Sequence, residues 1–142
     1  MRYVLDCSVV LKWFIAEPLS DVAARLLREF VVDETAFIAP DAIHAELGYI
    51  LRKHVLRGSF SAERGHAFMD QFVALGIPTV GVGPLCSEAA RLTTAYMGSF
   101  YDALYIALAI REDLKVLTAD GAMVNAFEKL DRAVHLADFA VR

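Results

Sequence analysis

The run Ser99-Phe-Tyr-Asp-Ala-Leu-Tyr-Ile-Ala-Leu-Ala-Ile110 constrains the fold more than any other part of the chain. It reads as a helix that is apolar on nearly every side, and such a helix belongs in a protein interior. One carboxylate, Asp102, stands in its first turn. A charged Asp is rarely buried unless something pairs with it. Asp102 therefore either caps its own helix or meets a cation, and the difference decides whether the chain carries a reactive site.

A helix this apolar needs layers around it. Arg2–Leu5 is a short β-type run followed by Asp6, and Ser8 opens a helical pattern through Val9, Val10, Trp13 and Phe14. Glu17-Pro18 ends it, because proline disfavours helical geometry at the residue before it. Ser20 or Asp21 is placed to cap a second helix carrying Val22, Leu26 and Phe30. Residues 35–39 form a second strand stopped by Pro40, and Asp41 is placed to cap a third helix that reaches about Arg57 and stops at Gly58. Ser61 opens a fourth helix closed at Gly76, residues 78–82 form a third strand, and Pro84 starts a fifth helix extending to Met97. Gly98 separates that helix from the apolar one. Residues 115–118 form a fourth strand, a helix through Met123, Phe127 and Leu130 follows, and a last strand falls near 134–136. Strands alternating with helices predict one α/β domain over 1–142, a parallel sheet of about five strands covered on both faces.

A hydrophobic content of 57% in 142 residues is high, yet no apolar run approaches the ~20 residues that span a bilayer. The excess predicts a thick core and a buried face between two copies of the chain, with the helices around Leu47–Leu56 and Phe68–Leu75 as candidates. Met1–Asp6 lacks the apolar stretch of a secretory signal. Cys7 and Cys86 show neither a CxxC pattern nor metal-ligand spacing. A reduced, cytoplasmic protein with no membrane partner is expected. The net charge of −4 weighs against a nucleic-acid partner. With four of the 18 acids set aside as a site, the remaining 14 match the 14 Lys and Arg, and the rest of the surface is neutral.

Four acids fall where such a sheet binds ligands, beyond the carboxyl ends of its strands. Asp6 follows the first strand and Asp120 the fourth, after Thr118-Ala119. Glu46 lies early in the helix leaving the second strand. The helix holding Asp102 runs into the fourth strand, so its first turn reaches the same rim. Each acid has a structural alternative. Asp6 and Asp120 suit helix caps or turns, and Ser99-x-x-Asp102 fits a capping box. Glu46 is harder to dismiss, because it flanks the apolar stripe Ile43, Leu47, Ile50 and His54, where a structural helix favours Leu or Ala.

Two carboxylates about 4 Å apart repel by roughly 4 kcal/mol at an effective dielectric of 20. Four on one rim need protonation or a divalent cation. The set offers only oxygen, which selects Mg²⁺ or Mn²⁺ over Zn²⁺. Such an ion suits phosphodiester hydrolysis. Ser8 and Thr118 adjoin the acids and are placed to orient carboxylates or waters.

The residues also carry a resemblance. Val4-Leu-Asp6-Cys-Ser8-Val-Val-Leu-Lys12-Trp-Phe resembles the opening of a PIN domain, and Pro40-Asp-Ala-Ile-His-Ala-Glu46, Phe100-Tyr-Asp102-Ala-Leu-Tyr-Ile-Ala and Leu117-Thr-Ala-Asp120 resemble its other acidic motifs, in order and over almost the whole chain. A small PIN domain of this kind is similar to the VapC toxins of toxin–antitoxin pairs. The resemblance implies a Mg²⁺- or Mn²⁺-dependent endoribonuclease, a homodimer, inhibited by an antitoxin bound across its active-site groove. It also implies strand order 3-2-1-4-5 and assigns Asp6, Glu46, Asp102 and Asp120 to catalysis and metal binding. One departure follows Asp120: where family members carry a further acid, this chain reads Gly121-Ala-Met-Val-Asn125, which favours a single ion.

The alternatives differ at specific residues. A receiver domain needs an acceptor Asp after the third strand, where this chain has Val82-Gly-Pro84, and a haloacid-dehalogenase-like phosphatase needs an acid where Ser8 stands. A PIN-like module that binds RNA or protein without cutting remains the competing reading. Arg52-Lys53-His54-x-x-Arg57 sits at a helix C-terminus, where it either opposes the helix dipole or contacts RNA or an acidic partner. Gly81-x-Gly83 lacks the third glycine of a dinucleotide site.

Overall fold

A computed structural model describes residues 1–140, so the last two residues of the expected domain lie outside the described residues. Arg2–Leu5 (β1), Ala36–Pro40 (β2), Thr79–Val80 (β3), Val116–Thr118 (β4) and Ala133–His135 (β5) build one sheet in the order β3-β2-β1-β4-β5, every neighbouring pair parallel. The expected order 3-2-1-4-5 is the observed one. In the central strand Val4 and Leu5 are fully buried, as strands covered on both faces require.

Among the described residues, seven α-helices connect the strands: Cys7–Phe14 (α1), Ser20–Val31 (α2), Ala42–Leu56 (α3), Ala62–Ala74 (α4), Cys86–Tyr96 (α5), Phe100–Glu112 (α6) and Gly121–Ala126 (α7). With right-handed crossovers, the path from β1 to β3 places α1 to α4 on one side of the sheet, and the return to β4 places α5 and α6 on the other. Every residue of α6 from Ala103 to Ala109 is buried. It packs against β1, β2 and β4 and against α5, in the interior that its composition demands. The turn into α6 is tight at Gly98, where a Cβ would lie 2.3 Å from the Phe127 ring.

Several element boundaries differ from expectation. Asp41 precedes α3 but does not cap it; its Oδ1 accepts the Val82 amide at 3.2 Å. Leu19, at φ 70°, takes the N-cap position of α2, and the Ser20 hydroxyl instead accepts from the Glu17 amide and donates to the Ile15 carbonyl. Pro40 does not stop β2. It is the last strand residue, since the amides donated to β3 are those of Ala39 and Asp41 and the missing proline N–H is not required. Pro84 lies in a 3-10 turn, Gly83–Leu85, ahead of α5, and Leu130 belongs to a second such turn, Glu128–Leu130, beyond α7.

Candidate active site

All five strands point the same way, so their carboxyl ends share one edge. Asp6 lies directly beyond β1 and Asp120 just beyond β4, while α3 leaves that edge carrying Glu46 and α6 arrives at it with Asp102 in its first turn. The four also act on one another electrostatically: Asp120 acts on Asp6, Asp6 and Asp102 act on Glu46, and Asp6 and Asp120 act on Asp102.

Asp6 is only 5% exposed and makes no cap to α1. Its Oδ2 instead accepts two hydroxyls, Ser8 Oγ at 2.6 Å and Thr118 Oγ1 at 2.7 Å. Each hydroxyl is itself held: Ser8 Oγ accepts the Ala119 amide and Thr118 Oγ1 the Asp120 amide, both at 2.9 Å. One small network thus ties the end of β1 to the end of β4. Asp120 does cap its helix, Oδ1 accepting the Ala122 amide at 2.9 Å. At α6 the cap is Ser99, whose Oγ accepts the Asp102 amide at 3.1 Å, so the backbone of Asp102 serves the helix.

Glu46 has a partner that the sequence reading did not identify. The hydroxyl of Tyr105, a fully buried residue of α6, donates to Glu46 Oε1 at 3.0 Å. A signal was present: a tyrosine in an otherwise apolar buried helix needs a polar partner for its hydroxyl.

Burial raises the proton affinity of three of the acids. Asp6 is pushed up chiefly by desolvation, against the pull of Ser8 and Thr118, with the charge of Asp120 adding to the rise. Glu46 is pushed up to about 7 by burial, which outweighs the Tyr105 hydrogen bond, and by Asp6 and Asp102. Asp102 rises to about 6 through burial and the charges of Asp6 and Asp120, with Ser99 opposing. Among the described residues, no ion pair joins any of the four to Lys, Arg or His. Lys12, the first basic residue after Asp6, is engaged by Glu17 at 3.0 Å.

Also among the described residues, no group of three His, Cys, Asp or Glu side chains is close enough to enclose a metal ion. The donor set is all oxygen, the chemistry that suits a hard divalent cation keeping several waters and not a dedicated protein cage. Cys7 adds no reactive thiol, since burial and the charges of Asp6 and Glu46 push it up. His135 is structural: Nδ1 accepts the Ala137 amide, so Nε2 carries the proton and donates to the Ala119 carbonyl at 3.2 Å.

With this geometry in place, comparison with known proteins is informative. The PIN domain family model matches residues 3–132. The chain belongs to the PIN-domain family. Ribonuclease VapC1 of Mycobacterium tuberculosis is 31% identical over 124 residues, which cover 87% of this chain and 89% of that protein. Three solved structures share the PIN fold. PAE2754 from Pyrobaculum aerophilum matches with a TM-score of 0.71 at 18% identity, covering 100% of this chain and 91% of that one. VapBC2 from Rickettsia felis, bound to a DNA fragment from its promoter, matches at 0.68 and 18%, covering 95% and 97%. A toxin–antitoxin complex from Klebsiella pneumoniae matches at 0.64 and 14%, covering 94% and 97%. Among the described residues of this PIN domain, no helix is long and apolar enough to cross a membrane.

Proposed function

We propose that this PIN domain is an endoribonuclease that hydrolyses RNA phosphodiester bonds at a Mg²⁺ or Mn²⁺ site, and that it is the toxin of a VapBC-type toxin–antitoxin pair. The observation that carries the reading is the gathering of Asp6, Glu46, Asp102 and Asp120 at one sheet edge, three of them with raised proton affinity and none in an ion pair with Lys, Arg or His among the described residues. A structural role gives no reason to keep four repelling carboxylates together. The 31% identical relative is named a ribonuclease, and two of the structural neighbours are toxin–antitoxin or VapBC complexes, which supports the same assignment.

In this proposal the four acids hold the ion, one carboxylate or two directly and the rest through water. A bound divalent cation supplies a more acidic water and offsets charge on the phosphate. The chain's own part is positional. Ser8 and Thr118 fix Asp6 through one oxygen, Tyr105 fixes Glu46 through Oε1, and the Ala122 amide fixes Asp120 through Oδ1, so the second oxygens of Glu46 and Asp120 remain for ligands. Hydrolysis adds hydroxide to phosphorus and a proton to the leaving ribose oxygen. A carboxylate that meets the ion through water is suited to take the proton from the attacking water. With Asn125 the only polar side chain among residues 121–125, one ion is proposed.

An antitoxin covering this edge and a homodimer through exposed apolar residues of α3 and α4, such as Leu56 and Val73, complete the reading. Light scattering tests the dimer, and a concentration-independent monomer refutes it. The nuclease test incubates the purified protein with structured and unstructured RNAs in Mg²⁺, in EDTA, and as Asp102→Asn. Cleavage is expected only with the wild type and Mg²⁺. Cleavage that survives EDTA or the substitution overturns the mechanism, and RNA binding with no cutting favours the non-cleaving module.

A further inference from the structure

Beside the acids, α3 and α6 enclose an open cavity of about 540 Å³ lined by Ala42, Ala45, Glu46, Tyr49, Ile50 and Tyr101. Its two rings are conspicuously exposed, Tyr49 by 65% and Tyr101 by 60%. Each is tied in sequence to an acid: Tyr49 follows Glu46 by one helical turn, and Tyr101 immediately precedes Asp102. The small side chains of Ala42 and Ala45 also line the cavity. One turn further along α3, Lys53 lies over a face of the Tyr49 ring, Nζ 4.9 Å from its centre.

Resting on the ribonuclease reading, the geometry points to a nucleobase slot, in which an unpaired base of single-stranded RNA next to the scissile phosphate stacks on Tyr49 and Tyr101 while Lys53 meets the neighbouring phosphate. Flat, amphipathic rings beside a basic side chain are what sequence-tolerant single-strand binding uses. A base inside a duplex is already stacked and cannot enter, so the slot selects unpaired RNA. An apolar protein surface is a poorer occupant. Glu46 lines the cavity and its second carboxylate oxygen faces no protein hydrogen-bond donor among the described residues. An apolar cover would strip water from this carboxylate, whereas a nucleotide brings polar edges and keeps water within reach.

The test measures KM and kcat on an unpaired RNA oligonucleotide with a mapped cleavage site, for wild type, Tyr49→Ala, Tyr101→Ala and the two Phe variants. Each Ala variant is expected to lose about tenfold in kcat/KM, mainly through KM, and each Phe variant to stay within about twofold, because the ring and not the hydroxyl stacks. Replacing the flanking nucleotides in turn by an abasic residue should cost the wild type a similar factor and cost the Ala variants little more. If the wild type cuts RNA while the Ala variants and the abasic substrates behave like their references, the slot is overturned and the nuclease reading stands. If the wild type cuts no RNA, the nuclease reading itself fails. If the Ala variants change the molar mass by light scattering at unchanged KM, the face is a contact between copies and the slot is overturned.

Discussion

The hydroxyl of Tyr105 meets Glu46 Oε1 at 3.0 Å, joining the middle of the most deeply buried helix to the second turn of α3. The two residues are 59 positions apart, and the bond is the point at which the packed interior fixes a side chain of the site. Because the phenol donates to the carboxylate, it favours the charged form and pulls the Glu46 proton affinity down. Tyr105→Phe removes that pull and little else. The affinity of Glu46 is expected to rise above its value of about 7, and the acid limb of the cleavage pH profile should move to higher pH. A stability loss of about 1 kcal/mol accompanies it, the usual net worth of such a bond. An unmoved profile would show that Glu46 takes no part in the pH dependence.

The raised affinities also set how stability depends on pH when no divalent cation is present. Glu46 goes from 4.5 to about 7 and Asp102 from 3.8 to about 6 on folding. The folded chain therefore holds more protons than the unfolded one between about pH 4 and 7. Their contribution is fully present below the unfolded values and is lost as pH rises through the folded ones. In EDTA the Tm at pH 5 should exceed that at pH 8, and Mg²⁺ should raise Tm at pH 8 far more than at pH 5. Asp102→Asn should keep or raise Tm in EDTA at pH 8, because it deletes a repelling charge while Ser99 still caps the Asp102 amide. A clear loss of stability would instead assign the Asp102 carboxylate to capping.

Ser8 and Thr118 converge on one oxygen of Asp6, with their own oxygens 3.3 Å apart. Thr118→Val keeps the shape but removes both the donor to Asp6 and the acceptor of the Asp120 amide in a fully buried place. About 1–3 kcal/mol of stability should be lost, with cleavage reduced about 10–100-fold, as for partners that orient metal ligands. Ser8→Ala should cost less, since Ser8 is only half-buried. The double substitution should fall short of the sum, since the two hydroxyls share one acceptor. Strict additivity in thermal and kinetic measurements would separate them into independent roles.

What the sequence made legible was whatever depends on local pattern and chain direction. An apolar helix had to be interior, and parallel strands had to present their carboxyl ends on one edge, which is why Asp6, Glu46, Asp102 and Asp120 could be read as convergent. Choices between competing partners were not legible. Asp41 looks like a cap, but the Val82 amide, 41 residues away, reaches it through the β2–β3 pairing. Tyr105 is one apolar-pattern residue among many until the fold brings its hydroxyl to Glu46 in α3. In both cases the outcome rests on tertiary distances that no spacing in the sequence encodes.

Gly98 offers a direct test of how closely the turn before α6 sets the site. A Cβ there would stand 2.3 Å from Cζ and 2.5 Å from Cε2 of Phe127. That ring has no free space to retreat into, being fully buried, with Tyr96 against it at 6.1 Å between centroids. In Gly98→Ala the turn must therefore shift, and with it Ser99 and the first turn that carries Asp102. Overpacking of this kind costs about 1–3 kcal/mol, or about 3 °C in Tm for each kcal/mol at this chain length. Cleavage should fall further than the stability loss accounts for, because Asp102 moves relative to Asp6 and Asp120. Adding Phe127→Leu opens the space and should recover part of both losses, a coupling that thermal melts and kcat/KM can each read. A Gly98→Ala protein that melts and cuts like the wild type would show that the turn does not position Asp102.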